Sequence, residues 1–478
     1  MMAWMPRSTV SPTTPWATWA KRLAGTGARL AITVTGVLLA IVVVAAGVLL
    51  AVPQWPAAVL PSGTVTYSAG PPAGWKLPAT ASPPAMPLDE LTAAKAPTAK
   101  ALAARIRRLP GAAAATPGVV VIDPATGRTL IDRADRALIP ASTMKLLTCV
   151  VALERLGNSR RFTTTVVSPR DGVVILRGGG DPLLHDARHS GRASLQDLAS
   201  ATAKRLKAAD VTKVTLGYDT SLFSGRGWHP RWTDNYRWSV APISALTADG
   251  GRTGTGQAEA DPARVAARKF AKRLARAGIK VTSAGPRKAP SSSELLASAD
   301  SATVEQLIEH TLRASDNTAA ETLARQVALA SDRSGSFAGA TAAVRSALQK
   351  LDLWARGMVL DDSSGLSRNN RVTPGVLAGA MRLVMVEADL RPLAAGLPVG
   401  GVSGTLIDRF DDRPERAGRG VVRAKTGSLR DVSALAGYLI TADGAPLVYA
   451  LMANKVLRPF ATRDWIDRTT AAWASCGC

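Results

Sequence analysis

Pro140-Ala141-Ser142-Thr143-Met144-Lys145 runs without a break into Leu146-Leu-Thr-Cys-Val-Val-Ala-Leu-Glu-Arg-Leu156. A stretch apolar around most of its girth reads as a helix buried on all sides. Ser142 then stands in the first turn of that helix, near the positive end of its macrodipole. Lys145 follows three residues later, so the two side chains share one face. A serine hydroxyl needs a neighbouring base to act as a nucleophile. A lysine held in a dry pocket sheds its proton more readily and can be that base.

Two further short motifs stand downstream in fixed order. Ser315-Asp316-Asn317 lies between the apolar-periodic segments VEQLIEHTL and AAETLARQV, which reads as a loop between two helices. There Ser315 and Asn317 project to one side, and Asp316 suits a helix N-cap. Lys425-Thr426-Gly427-Ser428 ends a strand-like run begun by Val421, with a glycine that lets a ligand approach the backbone. Lys425, Thr426 and Ser428 supply a cation and hydroxyls for a substrate carboxylate. The backbone N–H groups of Ser142 and Ser428 would form an oxyanion hole.

The pattern S-x-x-K, S-D-N and K-T-G in this order is the penicillin-interacting signature. Further segments extend it: Arg177-Gly-Gly-Gly-Asp181-Pro182, Trp238-Ser-Val-Ala-Pro-Ile-Ser-Ala-Leu246 and Asp362-Ser-Ser-Gly-Leu-Ser367-Arg368. Over about residues 100–478 the chain resembles the class C low-molecular-weight penicillin-binding proteins, the D-alanyl-D-alanine carboxypeptidase/endopeptidases. The resemblance implies an α+β fold, a β-lactamase-like transpeptidase domain whose antiparallel sheet is flanked by helices, plus an inserted α/β subdomain. It implies Ser142 as acylated nucleophile, Lys145 as its base, and Ser315 and Asn317 as the second wall. Lys425, Thr426, Gly427 and Ser428 make the third. It further implies that Asp181 and Arg368 hold the ends of a peptide stem. Peptidoglycan stem peptides are the expected partners and β-lactams the expected covalent inhibitors.

Spacing refines this. From Ser142 to Ser315 the separation is 315 − 142 = 173 residues, room for an insert over 162–304. No E-x-x-L-N occurs between Asn317 and Lys425, so the deacylating glutamate of a class A β-lactamase is missing. The four histidines, His185, His189, His229 and His310, fit no metal-binding spacing, and no phosphate-binding glycine loop is present, so no cofactor is expected.

Outward from the catalytic motifs, the chain ends form a hairpin pattern (Gly118–Asp123, Pro124–Gly127, Arg128–Ile131), a second hairpin (Val432–Ile440, Leu447–Met452) and a closing helix near 461–474. Together they predict one antiparallel sheet built from both termini. The insert alternates strand and helix, with helices over 195–208 and 262–277.

Of 478 residues 46% are hydrophobic and 20% charged, the balance of a globular enzyme with an added apolar segment. That segment is Leu30–Val52, uncharged, preceded by Arg7, Lys21, Arg22 and Arg29, with no acidic residue before Asp89. It has the length of a membrane helix, and the flanking charge predicts a cytoplasmic segment 1–29 and a body outside. A cleaved signal, leaving a secreted protein, is the alternative reading. Residues 53–98 are proline-studded, a semi-rigid tether to the peptidase domain over 99–161 and 305–478. The net charge of +23 favours anionic surroundings. No nucleic-acid motif accompanies it, so nucleic acid is not an expected partner. Cys476 and Cys478 stand too close for a relaxed disulfide, which leaves Cys149 either paired with one of them or a buried thiol.

Overall fold

In the computed structural model, which describes residues 94–107, 109, 116–134 and 136–478, the two ends of the folded chain meet in one sheet. The chain opens with α1 (Ala99–Ile106), β1 (Thr116–Ile122), β2 (Thr129–Arg133) and α2 (Met144–Leu156). Next come β3 (Thr163–Arg170), β4 (Val173–Arg177), α3 (Leu195–Ala208), β5 (Lys213–Asp219), α4 (Pro262–Arg276), β6 (Lys280–Pro286) and β7 (Glu294–Asp300). A helical run follows: α5 (Val304–Arg313), α6 (Asn317–Leu329), α7 (Phe337–Lys350), α8 (Pro374–Val386) and the short α9 (Pro392–Ala395). The chain closes with β8 (Arg423–Leu429), β9 (Val432–Ile440), β10 (Pro446–Asn454) and α10 (Pro459–Ala474).

The first sheet has the order β2-β1-β10-β9-β8 and is antiparallel throughout. Hairpins at both ends of the chain supply it. The central strand β10 is apolar and buried along its whole length, as a strand covered on both faces must be. One face packs on α2, α6, α7 and α8 through residues such as Leu147, Val151, Leu323 and Met381. The other carries α1 and α10 through Leu102, Tyr449 and Trp473. The second sheet, β6-β5-β4-β3-β7, is mixed: β4, β5 and β6 run parallel, while β3 pairs antiparallel with β4 and β7. Its own core gathers α3 and α4 around Phe270, Leu198 and Leu216.

The helix carrying Lys145 begins later than its sequence suggests. Ser142 lies in a single 3-10 turn, Ala141–Thr143, and α2 starts at Met144. Ala141 adopts φ +48°, left-handed backbone that interrupts a regular helix. Of the two readings for Cys149, the structure has the buried thiol, within α2. Cys476 and Cys478 lie side by side at the end of the chain, their Cα atoms 5.3 Å apart. The expected anchor (30–52), the segment before it and the tether as far as residue 93 lie outside the described residues. Among those described, no helix is long and apolar enough to cross a membrane.

Candidate active site

The site grows from the turn before α2. Because α2 is buried over nearly all its length, it carries Lys145 into the interior, where the side chain is 0% exposed. A charged amine there requires partners close by. Lys145 Nζ finds Ser142 Oγ at 3.0 Å, Asn317 Oδ1 at 2.6 Å and the carbonyl oxygen of Ser364 at 2.8 Å. Burial lowers the amine from its ordinary value to about 8, against the pull of the Asp362, Glu321 and Asp316 charges.

The sequence around Ser315 delivers Asn317 to that amine. The capping box of Thr303 and Gln306 starts α5, and Ser315 ends the connection with φ +55°. Asp316 then caps α6, accepting from Ala319 N–H at 3.0 Å and meeting His310 Nε2 at 3.1 Å. Burial opposes its charge, yet the His310 ring and the Ala319 amide hold its carboxyl below the usual range. Asn317 is thereby turned inward, its Nδ2 donating to Ser239 O at 2.9 Å while its Oδ1 faces Lys145.

The third acceptor comes from a loop locked from two sides. Asp362, fully buried, accepts from Gly365 N–H, Ser367 N–H, Asn370 Nδ2 and Trp232 Nε1 at 2.6–2.9 Å. Glu321, one turn beyond Asn317 on α6, accepts from the amides of Ser363 and Ser364 through Oε1, at 2.9 and 2.7 Å. Burial, reinforced by Asp362, pushes the Glu321 carboxyl well above its ordinary value. Gly365 has φ +89°, and a Cβ there would fall 1.9 Å from the Ala141 carbonyl oxygen. The loop therefore lies directly against the turn bearing Ser142.

The strand β8 closes the sheet as its edge strand and forms the opposite wall. Lys425 pairs with Ala436 in register and is 0% exposed. Its Nζ donates to Thr426 O at 3.0 Å; burial, and then the Lys145 charge, lowers it well below the ordinary lysine value. A Cβ on Gly427 would sit 2.6 Å from Pro140 O, so only glycine admits the strand this close to the turn bearing Ser142. Ser142, Ser315, Thr426, Ser428 and Thr405 line a cleft of about 330 Å³ between these walls. Two arginines, Arg409 and Arg463, complete it.

Residues from all three motifs thus meet at one place, across 172 residues of separation for Lys145 and Asn317. Two others stand elsewhere. Asp181 is 3% exposed, accepts from Leu183 N–H at 2.8 Å and does not line the cleft. Arg368 is held at the β8–β9 turn, donating to Arg430 O at 2.8 Å and Asp431 Oδ1 at 2.7 Å. Sequence reasoning did not single out Glu321, the Ser364 carbonyl, Thr405, Arg409 or Arg463. The only signal for Glu321 is an acid four residues after Asn317, on a helix otherwise largely apolar. A backbone carbonyl leaves no signature at all.

With this geometry in hand, the chain can be set beside known proteins. The model of the D-Ala-D-Ala carboxypeptidase 3 (S13) family matches residues 98–260 and 253–475. Carboxypeptidase DacB of Mycolicibacterium smegmatis is 36% identical over 423 residues, which is 84% of this chain and 89% of that protein. A D-alanyl-D-alanine carboxypeptidase of an Actinomadura species is 30% identical, over 76% of this chain and 83% of its own. Among solved structures, penicillin binding protein 4 (dacB) from Haemophilus influenzae superposes with a TM-score of 0.65, covering 78% of this chain and 98% of that one. At 22% identity this last likeness speaks for the fold, an α+β arrangement of sheets flanked by helices.

Proposed function

This chain belongs to the D-Ala-D-Ala carboxypeptidase 3 (S13) family, and on that premise we propose how its residues cleave a D-Ala-D-Ala peptide through a serine acyl-enzyme. Ser142 Oγ is the nucleophile and Lys145 its base. A neutral amine has two N–H bonds and one lone pair. Asn317 Oδ1 and Ser364 O accept those two hydrogens, so the lone pair is left for the Ser142 hydroxyl 3.0 Å away. This three-way arrangement around a fully buried Lys145 is the observation that carries the reading.

When Ser142 attacks the carbonyl of the penultimate D-Ala, its proton passes to Lys145. The amides of Ser142 and Ser428 stabilise the oxygen that gains charge, as such donors do in acyl transfer. Ser315, across the cleft, relays the proton to the departing amine. Lys425, Thr426 and Ser428 hold the substrate carboxylate, and Gly427 keeps their strand within reach. Water then takes the leaving group's place and the acyl-enzyme is hydrolysed by the reverse proton path. An edge strand facing the cleft suits an extended stem peptide, which adds to it as a further strand.

The substrates are peptidoglycan stem peptides, including cross-links in which a diamino acid replaces the leaving D-Ala. β-Lactams acylate the same serine. Arg368, from its place at the β8–β9 turn, meets the far end of the stem, while Asp181 belongs to the Gly-Gly-Gly-Asp-Pro turn that packs at Gln326. The peptidase domain comprises 99–161 and 305–478, with 162–304 inserted as a subdomain. Residues 30–52 anchor the protein in the membrane with this body outside, where the wall polymer is.

Labelling with a fluorescent penicillin, followed by mass mapping of the adduct, tests the reading. The adduct is expected on Ser142, with release of D-Ala from a pentapeptide stem by the same preparation. Folded protein that takes no label, or a Ser142→Ala variant that labels equally well, overturns it.

A further inference from the structure

The acyl-transfer reading leaves two guanidinium groups of the cleft without a task. Of the seven residues lining it, five carry hydroxyls and the other two are Arg409 and Arg463. No carboxylate lines it, so its lining offers an anion only donors and positive charge.

The two arginines are mounted differently. Arg409 donates through Nε to Asp467 Oδ2 at 3.0 Å and pairs with Oδ1 through a terminal nitrogen. Asp467 is 2% exposed on α10, so the guanidinium is gripped at two points by a fixed partner. Only 10% of the Arg409 side chain is exposed, and its segment is fastened to β8 by the 2.8 Å contact between Thr405 Oγ1 and Thr426 Oγ1. Arg463 lies one helical turn before Asp467 on α10, is exposed, and stacks its guanidinium over Phe460 at 5.5 Å. The Asp467 carboxylate is taken up by Arg409, and Arg463 stands exposed beside it at the cleft. A monoanion is its complement.

We propose that Arg463, beside an Arg409 oriented by Asp467, recognises the carboxylate of the leaving D-amino acid and so sets the preference of the site for a free carboxylate over an uncharged leaving group. The inference rests on the acyl-transfer reading, because only there is a carboxylate delivered past Ser142 towards Thr426 and Ser428. Those hydroxyls and Lys425 approach the carboxylate from the strand side; the arginines close on it from the helix side. Arginine suits this role because its planar fork can bind a carboxylate through two parallel hydrogen bonds.

Two thiolester substrates that differ only in bearing a carboxylate or its methyl amide on the leaving thiol provide the test. Wild type is expected to favour the carboxylate form. Arg463→Ala should raise KM for that form by about 10- to 100-fold, the range of a charge-assisted hydrogen bond, and leave the amide form unchanged. Arg463→Lys should restore part of the difference. Arg409→Lys, which keeps charge but loses the two-point grip of Asp467, should fall between. A wild type with no preference overturns the proposal, and so does an Arg463→Ala variant that loses both substrates equally or neither. Failure of the underlying reading looks different: wild type then forms no penicillin adduct at Ser142, whatever Arg463 does.

Discussion

Glu321 Oε1 accepts the backbone N–H of Ser364 at 2.7 Å, and the carbonyl of that same Ser364 accepts from Lys145 at 2.8 Å. A carboxyl that does not touch Ser142 thereby fixes one of the two acceptors around Lys145. It acts as a positioning residue.

Replacing Glu321 separates its shape from its charge. Glu321→Gln keeps an oxygen for the two amides and should retain most activity. Glu321→Ala strands two buried N–H groups, at a cost of about 2 kcal/mol or more, and should lower acylation with kcat falling more than KM rises. Thermal melts as a function of pH add a check. Because folding raises the Glu321 carboxyl, the native state holds its proton more tightly than the unfolded chain. Stability from this group is present in acid and lost as pH rises above the ordinary value of 4.5. The Tm of Glu321→Gln relative to wild type should therefore climb between pH 4.5 and 7.5; a constant difference would mean the carboxyl is not held neutral.

In the proposed mechanism Lys145 is neutral when it accepts the Ser142 proton, and burial lowers its amine to about 8. Acylation by penicillin should then rise roughly tenfold per pH unit below that value and level off above it. Stopped-flow labelling between pH 6 and 9 measures this directly. Lys145→Ala should lower the plateau by about 10³-fold, within the usual range for loss of a general base. A flat profile would remove Lys145 from the role.

Glycine 427 is set by contact. A methyl group there meets Pro140 O at 2.6 Å and Ala434 Cβ at 3.1 Å, so Gly427→Ala must push β8 away from the Ser142 turn. Displacements near 1 Å cost about 100-fold in well-oriented reactions. A drop of that size in acylation, with unchanged circular dichroism, is expected. Gly365→Ala should be worse, since its Cβ would overlap Ala141 O and its φ of +89° disfavours any side chain.

The penicilloyl adduct should persist. Between Asn317 and Lys425 the chain offers no E-x-x-L-N to activate a deacylating water. Mass spectra taken hours after removal of free penicillin should still show the adduct on Ser142; turnover to free penicilloic acid within minutes would contradict this.

Much of this was legible in the amino-acid order. Helices at 195–208 and 262–276, the two terminal hairpins and the closing helix follow from local periodicity and turn residues, which act over a few positions and leave a pattern. Ser142, Lys145, Asn317 and Lys425 were legible because side-chain chemistry at fixed spacing is written in residue types.

Other features required the fold. That β8 is the edge strand, and that Gly427 touches Pro140, depends on pairing between residues nearly 300 positions apart. The Ser364 carbonyl, the Glu321 grip upon it and the Arg409–Asp467 pair are contacts between distant segments, made by groups every protein contains. The sequence alone determined which side chains could perform acyl transfer and in what order they occur. Only the tertiary structure decided that Lys145 lies dry between two acceptors with its third direction open to Ser142, because burial and long-range hydrogen bonding are properties of the packed chain.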